Sequence, residues 1–313
     1  MLSRVADRIF WMSRQMERAE NMARILGVTS NLVLFSSKDT QQRQNLMAPL
    51  AITETDEDFF ANHKKLTLTA LFDFMALDEQ NPSSIYSCLK WARENAHAVR
   101  WQITSEMWET LNATWLELKG FKRKDIVGAD ATRFFDWVKE RSHLFRGVTY
   151  GTIVRGEAFN FSRLGTFLER ADNTARILDV KYHILLPRVE DVGGALDYYQ
   201  WAALLRSVSA FETYRTLYRD QIFPIKVAEL LLLERRMPRS LAACFDQVTE
   251  ALNRIDGQND QAAKRLASEL HARLTHSDIE EIFQGGLHEY LEACLDDLGD
   301  LGDRIQRAYL GTV

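Results

Sequence analysis

The chain has 313 residues, 46% of them hydrophobic, which is enough apolar material for one large domain or two ordinary ones. Its formal net charge of −5 argues against nucleic acid as the main partner, because phosphate binding is driven by a basic surface. The first residues are charged, unlike a secretory signal, and no apolar run reaches the roughly 20 residues that cross a bilayer. The three cysteines form no Cys-x-x-Cys pair. We therefore expect a cytoplasmic protein that does not associate with membranes.

Helical periodicity dominates the sequence, and no segment alternates as a β-strand does. Apolar residues of 3–26 recur at i, i+3, i+4 and i+7, which predicts an amphipathic helix. The polar segments 36–45 and 54–58 are predicted to be loops around a short apolar piece. One helix or two are predicted over 83–118, followed by a break at 120–130. Further helices are predicted over 131–146, 157–185, 196–219, 222–235, 240–255, 259–274 and 278–309, with a turn at 187–194. The sequence therefore predicts an all-α chain of about ten helices in a single domain, 1–313.

Two internal repeats occur in the same order. Residues 168–178 match residues 16–26 at eight of eleven positions, at an offset of 152. Residues 238–245 match residues 82–89 at an offset of 156, sharing a proline, a serine and a cysteine, and the two prolines mark sites where a helix can begin. The period is too long for a solenoid. The repeats predict two related halves, roughly 1–150 and 151–313, in a pseudo-twofold arrangement.

The first repeat carries acids and arginines in a fixed order, with an acid four residues before an arginine in each copy. Its charged members are Glu17, Glu20 and Arg24 in the first copy and Glu169, Asp172 and Arg176 in the second. One interpretation is a solvated ion-pair face, worth a few tenths of a kcal/mol per pair. The other is a buried network in which all six meet and pair, because unpaired buried charge is too costly. A metal site is disfavoured, since carboxylate-bridged sites use a Glu-x-x-His step and neither copy contains histidine.

The segment 146–166 is rich in glycine and also carries charged residues. Arg155 and Glu157 offer recognition of an anion and an amine, and glycines let a ligand or backbone approach closely. The alternative is that these glycines relieve crowding where long helices cross.

Taken together, ten short segments resemble the bacterial alpha-E family of all-helical proteins. They are 2–6, 11–14, 17–21, 81–85, 92–96, 105–108, 164–165, 168–172, 209–212 and 238–240. The resemblance covers essentially the full chain. It departs from the family pattern at Thr166, where arginine is usual, and at Glu234-Arg235, which replaces Asp-Pro.

The resemblance implies a companion of circularly permuted ATP-grasp proteins, which are encoded beside such chains or fused to them, and sometimes of transglutaminase-like proteins. It implies a part in ATP-dependent amide-bond formation. The sequence has no Gly-x-x-x-x-Gly-Lys phosphate loop. We therefore expect ATP and Mg²⁺ on the partner and no cofactor bound by this chain alone.

We expect a polar cleft, lined by the repeated helices and 146–166, that binds an amine- or carboxylate-bearing substrate. The candidate catalytic residues, which would accept an ammonium group or remove its proton, are Glu17, Glu169 and Glu157. The candidate substrate-binding residues are Arg24, Glu20, Arg155, Asp172, Arg176 and Arg239. The alternatives are a noncatalytic scaffold that docks the ATP-grasp enzyme and a stand-alone carboxylate-metal enzyme. The sequence leaves open whether the chain is an enzyme and whether it forms a homo-oligomer.

Overall fold

The computed structural model describes residues 1–34, 39–126, 128, 130–183, 194–219, 221–257 and 260–311. All regular structure in this part of the chain is helical, which confirms the all-α class. The described α-helices are α1 (Ser3–Leu34), α2 (Asp39–Thr53), α3 (Asp56–Asn62), α4 (Leu68–Phe72), α5 (Ile85–Ala98), α6 (Ser105–Leu118), α7 (Asp130–Thr152), α8 (Glu157–His183), α9 (Ala195–Ser207), α10 (Phe211–Tyr218), α11 (Pro224–Leu232), α12 (Leu241–Asn253), α13 (Gln261–His276), α14 (Ile279–Gly285) and α15 (Leu287–Ile305). Two π-helical turns, Asp73–Leu77 and Gln306–Leu310, and a 3₁₀ turn, Arg123–Ile126, accompany them.

The two copies of the first repeat lie on α1 and α8, and these helices pack directly against each other. Four alanines from the repeat, Ala19 and Ala23 on α1 and Ala171 and Ala175 on α8, are fully buried. Such small side chains let two helix backbones approach closely. Because all four are buried, the repeat lies in the interior of the protein. Several other helices pack on this pair: α5, α7 and α2 contact α1, and α12, α15 and α2 contact α8.

Gly165 of α8 lies directly against the backbone of α1. A Cβ atom built there would overlap the carbonyl oxygen of Phe10 and lie 3.0 Å from its carbonyl carbon. The proposal that glycine relieves crowding is therefore confirmed at this position. It does not hold for Gly147, Gly151 or Gly156, where an added Cβ would meet nothing within 4 Å.

The second repeat forms the same local structure twice. Ser84 Oγ accepts from the backbone N–H of Ser87 at 3.1 Å and caps α5, and Ser240 Oγ accepts from that of Ala243 at 3.0 Å and caps α12. Each serine hydroxyl also donates to the carbonyl oxygen six residues earlier. These hydrogen bonds satisfy backbone groups that a helix end leaves unpaired. The predicted helix starts near the two prolines are confirmed.

The chain has more helices than predicted because several long segments are divided. The predicted helix 196–219 is interrupted at Ser209, which has a left-handed φ of 55°, and 278–309 is interrupted at Gly286, with φ of 102°. The segment 83–118 forms two helices, with Thr104 capping the second. The predicted break at 120–130 is confirmed between α6 and α7.

The predicted loops are wrong over 39–45 and 56–58, which belong to α2 and α3. Leu46 and Leu50 of α2 are buried, and α2 packs on α1 and α8, so tertiary burial stabilises a helix that its polar first half does not favour alone. The predicted positions 36–38, 184–185, 187–193 and 259 lie outside the described residues.

The core contains the three cysteines as thiols, all buried. Burial raises the pKa of Cys88 and of Cys244 to about 12. No helix of the described chain is both long and apolar enough to cross a bilayer.

Candidate functional site

Glu17 lies at the interface of α1 and α8 and is 1% exposed. Its carboxylate accepts from Arg170 Nε and Nη2, both at 2.9 Å, from Arg239 Nη1 at 2.9 Å and from Arg146 Nη1 at 2.9 Å. Each carboxylate oxygen thus receives two charge-assisted hydrogen bonds. Burial alone would raise the pKa of Glu17, but Arg170 and Arg239 hold it below its usual range, so the group is ionised at neutral pH.

Glu20, one turn later on α1, joins the same network. Its carboxylate accepts from Arg239 Nη2 at 2.6 Å, Arg24 Nε at 2.9 Å and Ser142 Oγ at 2.7 Å, and Arg146 donates to it as well. Burial would raise the pKa of Glu20, yet these cations, Arg239 foremost, hold it well below its usual range. We name these residues the Glu17 cluster: Glu17, Glu20, Asn21, Arg24, Ser142, Arg146, Arg170 and Arg239.

Glu169 on α8 is the centre of a second network and is 3% exposed. Its carboxylate accepts from Arg14 Nε at 2.6 Å and from Arg18 Nε at 2.6 Å and Nη2 at 3.0 Å. Burial opposes ionisation, but these two arginines hold the pKa of Glu169 at about 2. Arg176 donates to Asp172 at 3.0 Å and pairs with Glu54. We name Arg14, Arg18, Glu54, Glu169, Asp172 and Arg176 the Glu169 cluster.

The two Glu-Arg pairs of the repeat bond reciprocally across the helix interface. Glu17 is bonded to Arg170, and Glu169 is bonded to Arg18, each arginine being the neighbour of the other glutamate in sequence. The buried-network interpretation is therefore confirmed for Glu17, Glu20 and Glu169. The six predicted charges do not all meet. Glu17, Glu20 and Arg24 belong to one cluster and Glu169, Asp172 and Arg176 to the other, and Glu20 and Asp172 each pair with the arginine of their own helix.

A cavity of about 320 Å³ lies between α7 and α8, beside the Glu17 cluster. Its lining residues are Phe145, Arg146, Gly147, Thr149, Tyr150, Phe159, Ser162, Arg163, Thr166, Phe167 and Arg170. Three are arginines, and none of these described lining residues is acidic. Arg163 Nη2 donates to Gln247 and Glu250, both at 2.6 Å, while its buried Nε has no partner in the described chain. We name this space the α7–α8 cavity.

Arg155 and Glu157, predicted from the glycine-rich segment, lie near the surface and belong to neither cluster. The Arg155 guanidinium lies 4.1 Å from the ring centroid of Phe159 and donates to the carbonyl oxygen of Tyr150 at 2.6 Å. Since both aromatic residues line the α7–α8 cavity, Arg155 lies beside its aromatic wall. Glu157 accepts from the ammonium group of Met1 at 2.6 Å.

A second cavity, of about 230 Å³, lies against the Glu169 cluster. Its lining residues are Arg14, Arg18, Asn21, Met22, Ile52, Thr53, Glu54, Ser83, Glu169, Asp172, Asn173 and Arg176. We name it the Ser83 cavity. The repeat therefore contributes to the walls of two cavities, one cationic and aromatic and the other of mixed charge.

The sequence gave no role to Arg146, which the packing of α7 on α1 brings to the repeat, or to Arg163, which lines the α7–α8 cavity. It also gave no role to Arg18 and Arg170, although both are identical positions of the repeat, and that identity was the signal available for them. Among the described residues, no group of three or more histidine, cysteine, aspartate and glutamate side chains is placed to hold a metal ion.

A family model described as a predicted alpha-helical domain with a conserved ER motif matches residues 1–310. This chain belongs to the Alpha-E family. Uncharacterized proteins of Mycobacterium bovis and of two strains of Mycobacterium tuberculosis are 25% identical to it over 98% of its length. The chain spans 37% of the length of these curated relatives. No solved structure matches it. Two Glu-Arg pairs of this Alpha-E chain, 17–18 and 169–170, are those that bond reciprocally in the interior.

Proposed function

We propose that this chain is the substrate-binding component of an ATP-dependent amide-bond-forming system. Its partner would be a circularly permuted ATP-grasp protein, which would hold ATP and Mg²⁺, in the cytoplasm. A transglutaminase-like protein is a further proposed partner. The observation that carries the proposal is the α7–α8 cavity, where Arg146, Arg163 and Arg170 line one concave, partly aromatic space. Guanidinium groups bind carboxylates with directed, charge-assisted hydrogen bonds, so this space suits a small carboxylate-bearing substrate.

Glu17 supports this function by holding the cationic wall in place. It bonds both Arg146 and Arg170, whose guanidinium groups would otherwise repel each other and move. A binding group fixed by surrounding hydrogen bonds loses less conformational entropy when it meets its ligand. The lowered pKa values of Glu17 and Glu169 make them weak bases, so we assign them to positioning the arginines rather than to proton removal. Glu157, which is partly exposed, is the proposed contact for an ammonium group.

We also propose that the chain consists of two related halves in a pseudo-twofold arrangement. Three features support this: the pairing of α1 with α8, the packing of α5 on α1 and of α12 on α8, and the matching serine caps of α5 and α12. In this view the two clusters began as equivalents and then diverged.

A noncatalytic scaffold is the second candidate. The saturation of Glu17, whose two oxygens each accept two hydrogen bonds, supports it, because such buried networks can serve packing specificity alone. In that case the arginines would fix the arrangement of helices that dock the partner enzyme.

Reconstitution with an ATP-grasp protein encoded nearby tests these candidates. The assay is ATP-dependent coupling of amino-acid mixtures, followed by mass spectrometry, with partner affinity measured separately. Arg163→Gln should raise KM for the carboxylate substrate by roughly tenfold to a hundredfold, the loss of one charge-assisted hydrogen bond, and leave partner affinity unchanged. Arg265→Gln, at an exposed ion pair, is the matched control and should change neither.

Other outcomes exclude the substrate-binding role. An unchanged KM in Arg163→Gln together with weaker partner binding in Glu17→Gln would favour the scaffold. ATP hydrolysis by this chain alone would contradict the assignment of ATP to the partner.

A further inference from the structure

Arg239 fills a specific place in the Glu17 cluster. It precedes the capping serine of α12, is 5% exposed, and reaches three acceptors on α1. Nη1 donates to Glu17 Oε1 and to Asn21 Oδ1, both at 2.9 Å, and Nη2 donates to Glu20 Oε1 at 2.6 Å. This first-half site is therefore a guanidinium-binding site whose ligand is a side chain of the same protein.

The repeats identify the corresponding place in the other half. At the offset of 156, Arg239 corresponds to Ser83, and the flanking serines cap their helices in the same way. At the offset of 152, the three acceptors of Arg239 correspond to Glu169, Asp172 and Asn173. All three, and Ser83 itself, line the Ser83 cavity. The short side chain of Ser83 thus leaves about 230 Å³ beside the Glu169 cluster, where the Glu17 cluster contains the guanidinium of Arg239.

Asn173 is the acceptor whose state differs most between the halves. Asn21 accepts from Arg239, whereas the Asn173 side chain, in a residue only 8% exposed, has no hydrogen-bond partner in the described part of the chain. Asn173 lies in the wall of the Ser83 cavity, so its side-chain oxygen is placed to accept from a donor in the cavity.

The charges of the Ser83 cavity leave room for another cation. Its walls carry three carboxylates and three guanidinium groups, whereas the Glu17 cluster holds four guanidinium groups with two carboxylates. The pKa values of the corresponding acids, Asp172 and Glu20, shift in opposite directions. Burial and the charge of Glu169 raise the pKa of Asp172, whereas the cations around Glu20, Arg239 foremost, lower the pKa of that acid despite its burial. The Glu169 cluster therefore lacks a positive charge that the Glu17 cluster contains in Arg239.

We propose that the Ser83 cavity binds the guanidinium group of a ligand, which donates hydrogen bonds to Glu169, Asp172 and Asn173 as Arg239 does to their counterparts. The site is distinct from the α7–α8 cavity and needs neither ATP nor a partner enzyme, so it goes beyond the proposed function. The guanidinium site and the proposed function can fail independently, because guanidinium binding is measured on the isolated chain.

Isothermal titration of the full chain with methylguanidine tests the site, with methylurea as the neutral ligand of the same shape and methylamine as the compact cation. The dissociation constant of methylguanidine should be at least roughly tenfold lower than that of either control, since both its charge and its planar geometry contribute to binding. Agmatine and a capped peptide with one arginine then distinguish a free small molecule from a peptide as the natural source. Equal binding of methylurea, or absence of methylguanidine binding, would overturn the proposal.

Variants at Ser83 give an independent test. Ser83→Arg supplies the guanidinium from the chain itself, so it should abolish methylguanidine binding and raise the melting temperature. Ser83→Met, which adds bulk without charge, should weaken binding without raising the melting temperature. Asn173→Ala should weaken binding by roughly tenfold in a folded protein. Retained methylguanidine binding in Ser83→Arg, or a lower melting temperature for it than for Ser83→Met, would exclude the guanidinium site.

Discussion

Replacement of Glu17 by glutamine should be among the most destabilising conservative changes in the chain. Glutamine keeps the size of the side chain but removes its charge, which leaves Arg146, Arg170 and Arg239 close together with Glu20 as the remaining carboxylate of the cluster. Breaking one side of a buried ion pair costs about 3–5 kcal/mol, because the opposite charge loses its compensation. We expect Glu17→Gln to lower the free energy of unfolding by that amount, measured by urea denaturation at pH 7 with circular dichroism.

Glu157→Gln is the matched control for this experiment. Glu157 also forms an ion pair, but its side chain is 37% exposed, and exposed pairs contribute about 0–1 kcal/mol. Glu17→Gln should therefore unfold at a much lower urea concentration than Glu157→Gln. A Glu17→Gln variant within about 1 kcal/mol of the original chain would refute the view that Glu17 compensates buried arginines.

Three further predictions concern acid, thiols and helix packing. The pKa of Glu169 falls from 4.5 to about 2 on folding, so its ionised form stabilises the folded chain by about 3 kcal/mol at most; this stabilisation is complete above pH 5 and is lost as pH falls toward 2. The difference in unfolding free energy between the original chain and Glu169→Gln should therefore shrink between pH 6 and pH 3. A constant difference would contradict this. Cys88 and Cys244 should react with a thiol reagent at pH 8 only after unfolding, since burial raises the pKa of both to about 12; rapid labelling of the folded chain would disagree. Gly165→Ala should lower the free energy of unfolding by about 1–3 kcal/mol, because the added Cβ overlaps the backbone of α1. Gly147→Ala, inside α7 with space for a Cβ, should raise it by up to about 1 kcal/mol. Equal effects of the two variants on urea denaturation would exclude the close approach at Gly165.

The sequence predicted the helices well where local pattern and burial agree. The apolar stripe of 3–26 continues as α1 to Leu34, because Thr29 and Val33 extend the buried face beyond the predicted end. The loop predicted from the sequence at 39–45 was wrong, because contacts with α1 and α8 stabilise this polar segment as a helix. The divisions at Ser209 and Gly286 depend on single left-handed residues, which helical periodicity does not detect.

The repeat located the candidate site but not its partners. It identified Glu17 and Glu169, whose burial follows from the close approach of α1 and α8. It could not identify Arg146, since its contribution depends on the packing of α7 on α1. Nor could spacing along one helix show that each glutamate bonds the arginine of the other copy. That exchange requires the relative rotation and shift of two helices, which no local pattern encodes.

Double-mutant cycles measure the reciprocal pairing of the two Glu-Arg pairs most directly. Glu17→Gln is combined with Arg170→Gln in one cycle and with Arg18→Gln, its sequence neighbour, in the other, and unfolding free energies are compared. We expect a coupling energy of about 1–3 kcal/mol for Glu17 with Arg170 and below about 0.5 kcal/mol for Glu17 with Arg18. Equal couplings, or a stronger coupling of Glu17 to Arg18, would contradict reciprocal pairing across the α1–α8 interface.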